Sequence, residues 1–434
     1  MITAIKISND VAKVQQSRVP FETTNMNKIT SMKSVSLTHH DSLHEIYRSI
    51  RPIYIICRMV GLNSIRFRGN QQLIAENFDY LYFSFFMVVY VLLSAYSLMC
   101  LIMDERSVIV GKTMFLIECS VMVTLMLIVV TFTFFTRRIQ IKAFDLLSHI
   151  DVSFVRNGFA LNYRSLLKNN YVILIFMGVS LMARSVLMIL TVQGNLAQQL
   201  ALLVSTLIKA LSKYQFVVFV LQLQMRFAKI NSVIASFYKH SKLKLVLNPI
   251  AKTIPEQLYI LCRLHYKLAS VTQKINAAFA VQLLFSIAVS LFDVLFQAYC
   301  LYYVSVGKTE DATVAYVMAP VIWLVDEMVE IYWLVYACAS TSDQANETPT
   351  ILHELRNNYF DAELEGHIQT YSLQMLHQKV QFSVLGFFVV DYTLIYSIVG
   401  AVTTYLVIFI QFDQSSSNQL DSANLTDVEL IGNQ

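Results

Sequence analysis

Seven stretches of this chain stay apolar for about 20 residues or more, which restricts the fold to one that crosses a lipid bilayer. They run approximately 80–103, 114–135, 171–192, 200–222, 278–304, 313–338 and 382–412. Hydrocarbon offers no partner to a backbone amide, so each stretch must satisfy its own hydrogen bonds as a helix. Composition agrees, since 56% of the 434 residues are hydrophobic and 14% are charged, more apolar surface than a soluble core uses. The expected fold class is therefore an all-α membrane protein with seven transmembrane helices.

The placement of Lys and Arg sets the orientation. Ten precede the first span, two lie in the first loop, six in the second, none in the third, nine in the fourth, one in the fifth, two in the sixth and none after the last. The basic N-terminus and the second and fourth loops belong in the cytosol by the positive-inside rule. Seven spans then put the C-terminus outside. The first 30 residues hold no apolar stretch long enough for a signal peptide, in keeping with a cytosolic N-terminus. The sixth loop is less clear, with Arg356 and Lys379 against six acids, but acids weigh little in that rule. A G-protein-coupled receptor has the opposite orientation, so the count of spans alone misleads.

Three divisions follow: residues 1–47 as a variable cytosolic N-terminus, 48–412 as the seven-span domain and 413–434 as an extracellular tail. The segment 51–69 is basic and half apolar, suited to the inner interface. Residues 221–240, 254–276 and 350–380 repeat apolar positions every three or four residues between charges, the pattern of amphipathic helices continuing below the bilayer. Helices 4 to 7 are thus expected to extend into a cytosolic anchor domain. No repeat relates the two halves, so the inverted-repeat signature of many transporters is missing.

An enzymatic reading finds no support. No G-x-S-x-G, H-E-x-x-H or P-loop motif is present, and no cofactor or metal site is expected. The six cysteines show no C-x-x-C spacing, and a Cys100–Cys119 bridge is the less favoured reading of two helix-borne thiols. Ionisable residues inside spans say more, because each is costly in lipid. In "IWLVDEMVEIYW" (322–333), Trp323, Asp326 and Glu330 fall on one helical face, with Trp323 about 15 Å from the outer end of its span. An aromatic ring beside carboxylates can hold a polyol, or a cationic alkaloid through cation–π and ion pairing. The other reading pairs these acids with Arg184, Lys209 or Lys213 as structural ties. Both can hold for one cluster. Asp293 and Asp391 are read as lone structural hydrogen-bonding groups.

The last span ends in "TTYLVIFIQF" (403–412). Thr404, Ile408 and Gln411 share one face, and Tyr405, Phe409 and Phe412 form a neighbouring stripe. Within a single bundle, Gln411 is most simply a hydrogen-bonding residue between helices. In a symmetric oligomer it becomes a ring of neutral amides that offers carbonyl oxygens to a cation, and Phe412 a ring that closes by dewetting.

"TYLVIFIQF" (404–412) resembles the signature of insect gustatory receptors: a Thr-Tyr pair, five apolar residues and Gln-Phe. The flanking "QFSVLGFFVVDYTLIYSIVGAVTTYLVIFIQF" (381–412), "LHYKLASVTQKINAAFAVQLL" (264–284) and "RPIYIICRMVGLN" (51–63) are similar to the same family. The resemblance covers about 48–412 and is strongest in the last third. It implies a ligand-gated, non-selective cation channel, homo- or heterotetrameric, in the plasma membrane of sensory neurons. Its partners would be a small-molecule tastant, other receptor subunits and the bilayer, with no nucleic acid. Gln411 and Phe412 would form the gate, Ile408 would line the pore, and Thr404 and Tyr405 would couple pocket to gate. The pocket would draw on spans two to six, with Trp323, Asp326, Glu330 and Arg184 as candidates. Sweet-taste members usually carry Glu after the Thr-Tyr pair; Leu406 stands here, which favours bitter-type, broadly tuned or fructose-type members. A receptor coupled to a G protein and a small-molecule transporter are the alternatives. The sequon at Asn424 would be an outer glycan site, and Asn346, predicted cytosolic, would be bare.

Overall fold

A chain with this many unbroken apolar runs has few places to end a helix, and the result is a set of helices much longer than a bilayer requires. The computed structural model describes residues 39–62, 66–68, 72–74, 78–103, 109–191, 196–244, 254–307, 314–356 and 362–432. In order these form α1 (His39–Met59), β1 (Arg66–Arg68), β2 (Gln72–Ile74), α2 (Phe78–Met103) and α3 (Ile109–Arg156). Next come α4 (Tyr163–Thr191), α5 (Leu196–Lys244), α6 (Ile254–Ser305), α7 (Val314–Arg356) and α8 (Ala362–His377). The chain closes with β3 (Ser383–Val384), β4 (Phe388–Val389) and α9 (Tyr392–Gly432). The predicted N-terminal region lies outside the described residues except for 39–47, which begin α1.

Among the described residues, six helices are long and apolar enough to cross a membrane: α2, α3, α4, α5, α6 and α9. The sixth expected span, 313–338, corresponds to α7, which is less apolar because Asp326, Glu327 and Glu330 fall within two turns of it. Those charges are neutralised inside the bundle, as described below.

Of the three expected helical extensions two run unbroken, while 350–380 is divided between the end of α7 and the separate helix α8. α5 and α6 continue unbroken through 221–240 and 254–276. α3 also runs on, to Arg156, where the apolar stretch alone ends near 135. α1 is part of the bundle: Leu43, Ile46, Ile50, Ile53 and Cys57 are buried, and the helix packs against α3, α4 and α5. The turn after α1 needs Gly61, whose φ is +74° and where a Cβ would fall 2.6 Å from the Phe86 ring.

This end of the bundle is tied by buried polar groups. Arg226 on α5 grips Asp151 on α3 through two parallel bonds of 2.7 and 2.5 Å, and Tyr163 of α4 donates to the same carboxylate at 2.5 Å. Gln222 reaches Ser49 of α1 at 2.8 Å, and Asn170 of α4 donates to the Ser49 carbonyl at 2.6 Å. Bidentate geometry makes this the strong form of ion pair. Pro349 inside α7 has no N–H for the Ala345 carbonyl, one turn back, and His265 of α6 donates Nε2 to that oxygen at 2.9 Å.

The last span requires a correction. Residues 382–390 are not helical: Ser383 pairs Val389 and Val384 pairs Phe388 in a hairpin. Leu385 (φ 51°) and Gly386 (φ 79°) form its turn, with the Phe387 amide donating to the Val384 carbonyl at 2.9 Å. Two successive positive φ values match the strand twist, and glycine makes the second one easy. Apolar content carried no mark of the turn beyond Gly386. α9 therefore starts at Tyr392, with Asp391 as its N-cap accepting from the Thr393 amide at 2.9 Å. The structural role expected of Asp391 holds.

Candidate functional site

Ionic residues on four helices converge midway along the apolar part of the bundle. Lys209 and Lys213, one turn apart on α5, point the same way and are 1% and 2% exposed at their side chains. Glu327 of α7 bridges them, accepting from Lys209 and from Lys213 at 2.6 Å each. Lys209 also binds Asp293 of α6. Lys213 donates to Ser290 at 2.8 Å and pairs with Glu330 at 2.8 Å. On the other flank of α7, Asp326 pairs with Arg184 of α4 and accepts from Ser180 at 2.6 Å. Three cations thus face four carboxylates, leaving one negative charge in excess.

Asp326 thus pairs with Arg184 and Glu330 with Lys213, the ionic ties that the structural reading expected. Removing Arg184 would leave Asp326 without its cation in the buried cluster, whereas Lys213 would keep Glu327 if Glu330 were removed. The single face proposed for Trp323, Asp326 and Glu330 divides in two. Asp326 and Glu330 face Arg184, Ser180, Ala210 and Tyr214. Trp323 keeps company instead with Glu327, four residues on, along a cavity of about 70 Å³ whose wall includes Arg184, Lys209, Asp293 and Gln297. Met122, Met188, Leu202, Leu203 and Thr206 form the rest of that wall.

Sequence reasoning missed Glu327, and it treated Asp293 as solitary. The signal was present in Lys209 and Lys213: two lysines four apart on an apolar helix need facing acids, and Glu327 can serve both. One oxygen of Asp293, Oδ1, is buried with no hydrogen-bond partner among the described residues, as is Arg184 Nε.

The terminal helix behaves differently. α9 touches its own chain through α6 and α7, burying Leu394 and Ile398, and Phe409 meets the Tyr299 ring of α6 edge-on at 6.2 Å. Thr404 and Gln411 are exposed, and Tyr405, Ile408 and Phe412 are among the exposed large apolar side chains. Thr404 spends its hydroxyl on the Gly400 carbonyl at 2.9 Å. Gln411 finds no hydrogen-bond partner among the described residues, so a helix-to-helix bond within one chain does not account for it. α9 continues as helix past the expected tail boundary at 413, to Gly432. The side chains of Asn424, Cys100 and Cys119 lie outside the described residues. Asn346 gives its side-chain amide to the Val380 carbonyl at 2.8 Å and accepts from the Val380 amide at 2.9 Å, a use that a glycan would forbid.

With this geometry in hand, comparison with known proteins defines the class. The family model described as 7tm chemosensory receptor matches residues 50–416, and the chain belongs to that family. Its sequence relatives are insect gustatory receptors, as the signature in the last span implied. Among them are the gustatory-receptor sequence 28b of Drosophila melanogaster, 30% identical over 172 residues, which are 39% of this chain and 36% of that one. The gustatory receptor for bitter taste 66a of the same fly is 27% identical over 38% of this chain and 32% of its own length. The matches thus span about a third of these relatives. In structure the chain is similar to the olfactory receptor OR5 of the insect Machilis hrabei, with a TM-score of 0.62, 13% identity, and coverage of 86% of this chain and 100% of that one. The all-α membrane fold is shared.

Proposed function

We propose that this chain is one subunit of a ligand-gated, non-selective cation channel of the gustatory kind, opened by a small tastant. It is a receptor with no catalytic role. The observation that carries this reading is the outer face of α9, where Thr404, Ile408 and Gln411, flanked by Tyr405 and Phe412, lie exposed on an apolar helix. Lipid would not favour a free amide there. A tetramer would gather four such faces around an axis, giving a ring of Gln411 carbonyl oxygens that substitutes for ion hydration and a ring of Phe412 that dewets when closed.

In this reading there are seven spans, with α7 as the sixth, a cytosolic N-terminus and an extracellular C-terminus, in the plasma membrane of sensory neurons. Residues 1–47 precede the channel domain at 48–412, which the tail follows. The Trp323 cavity is the tastant site. α6 connects it to the gate, because Asp293 on the cavity wall and Tyr299 against Phe409 are less than two turns apart on one helix. The neighbouring olfactory receptor has also been solved in complex with eugenol, with a TM-score of 0.55 to this chain, which supports a small-molecule site in the shared fold.

The test is to express the chain alone in a cell without endogenous response and record cation currents against sugars, amino acids and alkaloids. A reproducible ligand-evoked conductance is expected. Substrate accumulation without conductance would favour a transporter, and a C-terminal epitope reachable only after permeabilisation would reverse the orientation.

A further inference from the structure

The cavity beside Trp323 carries a chemical preference of its own. It is mostly apolar, and its ionic side holds an imbalance: Lys209 lies between Asp293 and Glu327, while the whole cluster has one carboxylate more than it has cations. The imbalance has an address. Asp293 is 6% exposed, its Oδ2 binds Lys209, and its Oδ1 has no hydrogen-bond partner among the described residues. A buried carboxylate oxygen left without a donor is costly, and a ligand N–H would remove the cost. Arg184 lines the same cavity, and its Nε is also without a hydrogen-bond partner among the described residues. An anion would find that donor but would enter a cluster already in negative excess, whereas a cation would cancel the excess. A polyol could serve both orphan groups but would leave the charge uncompensated.

We propose that this cavity takes a compact organic monocation with at least one N–H donor, bound through Asp293 Oδ1 with its apolar part against Trp323, Met122 and Met188. The inference rests on the tastant-site reading above and adds the ligand class and its recognition residue. At about 70 Å³ the space suits roughly five water-sized groups. Isobutylamine, protonated at neutral pH, is a probe of that size, and isobutanol is its neutral counterpart.

Binding and gating are measured separately. In detergent-purified full-length protein, 10 mM isobutylamine is expected to raise the unfolding temperature by about 2 °C, with isobutanol giving no rise and Asp293→Asn losing the response to the amine. Asp293→Glu keeps the charge and should retain at least part of the shift, which guards against a variant that merely folds badly. Equal stabilisation by both probes, stabilisation by isobutanol alone, no stabilisation by either, or an undiminished amine response in well-folded Asp293→Asn overturns the proposal. In recordings the amine should act at a concentration at least tenfold below the alcohol. Amine binding without any evoked current would overturn the channel reading and leave the binding inference standing; currents evoked by neutral ligands without amine binding would do the reverse.

Discussion

α5 and α9 are both apolar helices of more than forty residues, yet they solve the problem of polar side chains in opposite ways. In the apolar segment of α5, 78% of the residues are buried, against 17% in that of α9. Lys209, Lys213, Gln222 and Arg226 of α5 are all paired within the chain. Gln411 of α9 has no hydrogen-bond partner among the described residues. A helix whose polar groups are satisfied within the chain holds the bundle together, and one whose polar groups face outward is the face on which the proposed channel assembly depends. The first defines the fold, and the second is where function is to be sought.

The comparison is broken most severely at Arg226. Replacing it with Met strands Asp151, which is fully buried, and should cost about 3–5 kcal/mol. The expected outcome is loss of a monodisperse peak in fluorescence-detected chromatography, largely recovered by the double change Arg226→Met with Asp151→Leu. Asp391→Ala removes the cap of α9 and should cost about 1 kcal/mol, read as a lower unfolding temperature with surface expression retained. Phe409→Ala removes the half-buried ring that meets Tyr299 edge-on, a ring pair of about 1 kcal/mol, and should shift ligand-evoked maximal current more than stability. Smallest in stability are Gln411→Ala and Phe412→Ala. Each should move the unfolding free energy by less than about 0.5 kcal/mol, because the side chains are exposed. Each should still change conductance or basal leak. If α9 variants unfolded the protein as Arg226→Met does, the contrast between the helices would be lost.

Much of this was legible in the sequence. Apolar length marked six of the seven expected spans, and amphipathic spacing in 221–240 and 254–276 marked the continuation of α5 and α6, because a period of 3.6 persists beyond the apolar stretches. The same spacing was present in "RRIQIKAFDLLSHIDVSFVR" (137–156), where the basic start of the segment drew attention away from its buried Ala143, Phe144, Leu147 and Ile150. The hairpin at 383–389 stayed hidden because a short apolar run reads equally as strand or helix. At the ionic cluster, the pairing of acids with Arg184, Lys209 and Lys213 was foreseeable from the need to neutralise charge in hydrocarbon. Which acid faces which cation was not. Trp323 with Glu327 and Asp326 with Glu330 are both one-turn pairs, and only the packing of α4, α5 and α6 around α7 assigns them to different sides.

The central claim is that the exposed face of α9 lines a shared conduction path. Its most direct test is Gln411→Cys, recorded during ligand-evoked current while a charged methanethiosulfonate reagent is applied from outside. Progressive and irreversible change of the current in Gln411→Cys, with none in the unsubstituted chain, is the result expected of a residue that meets the permeating ions. Full surface expression with a current that the reagent leaves untouched would contradict the account.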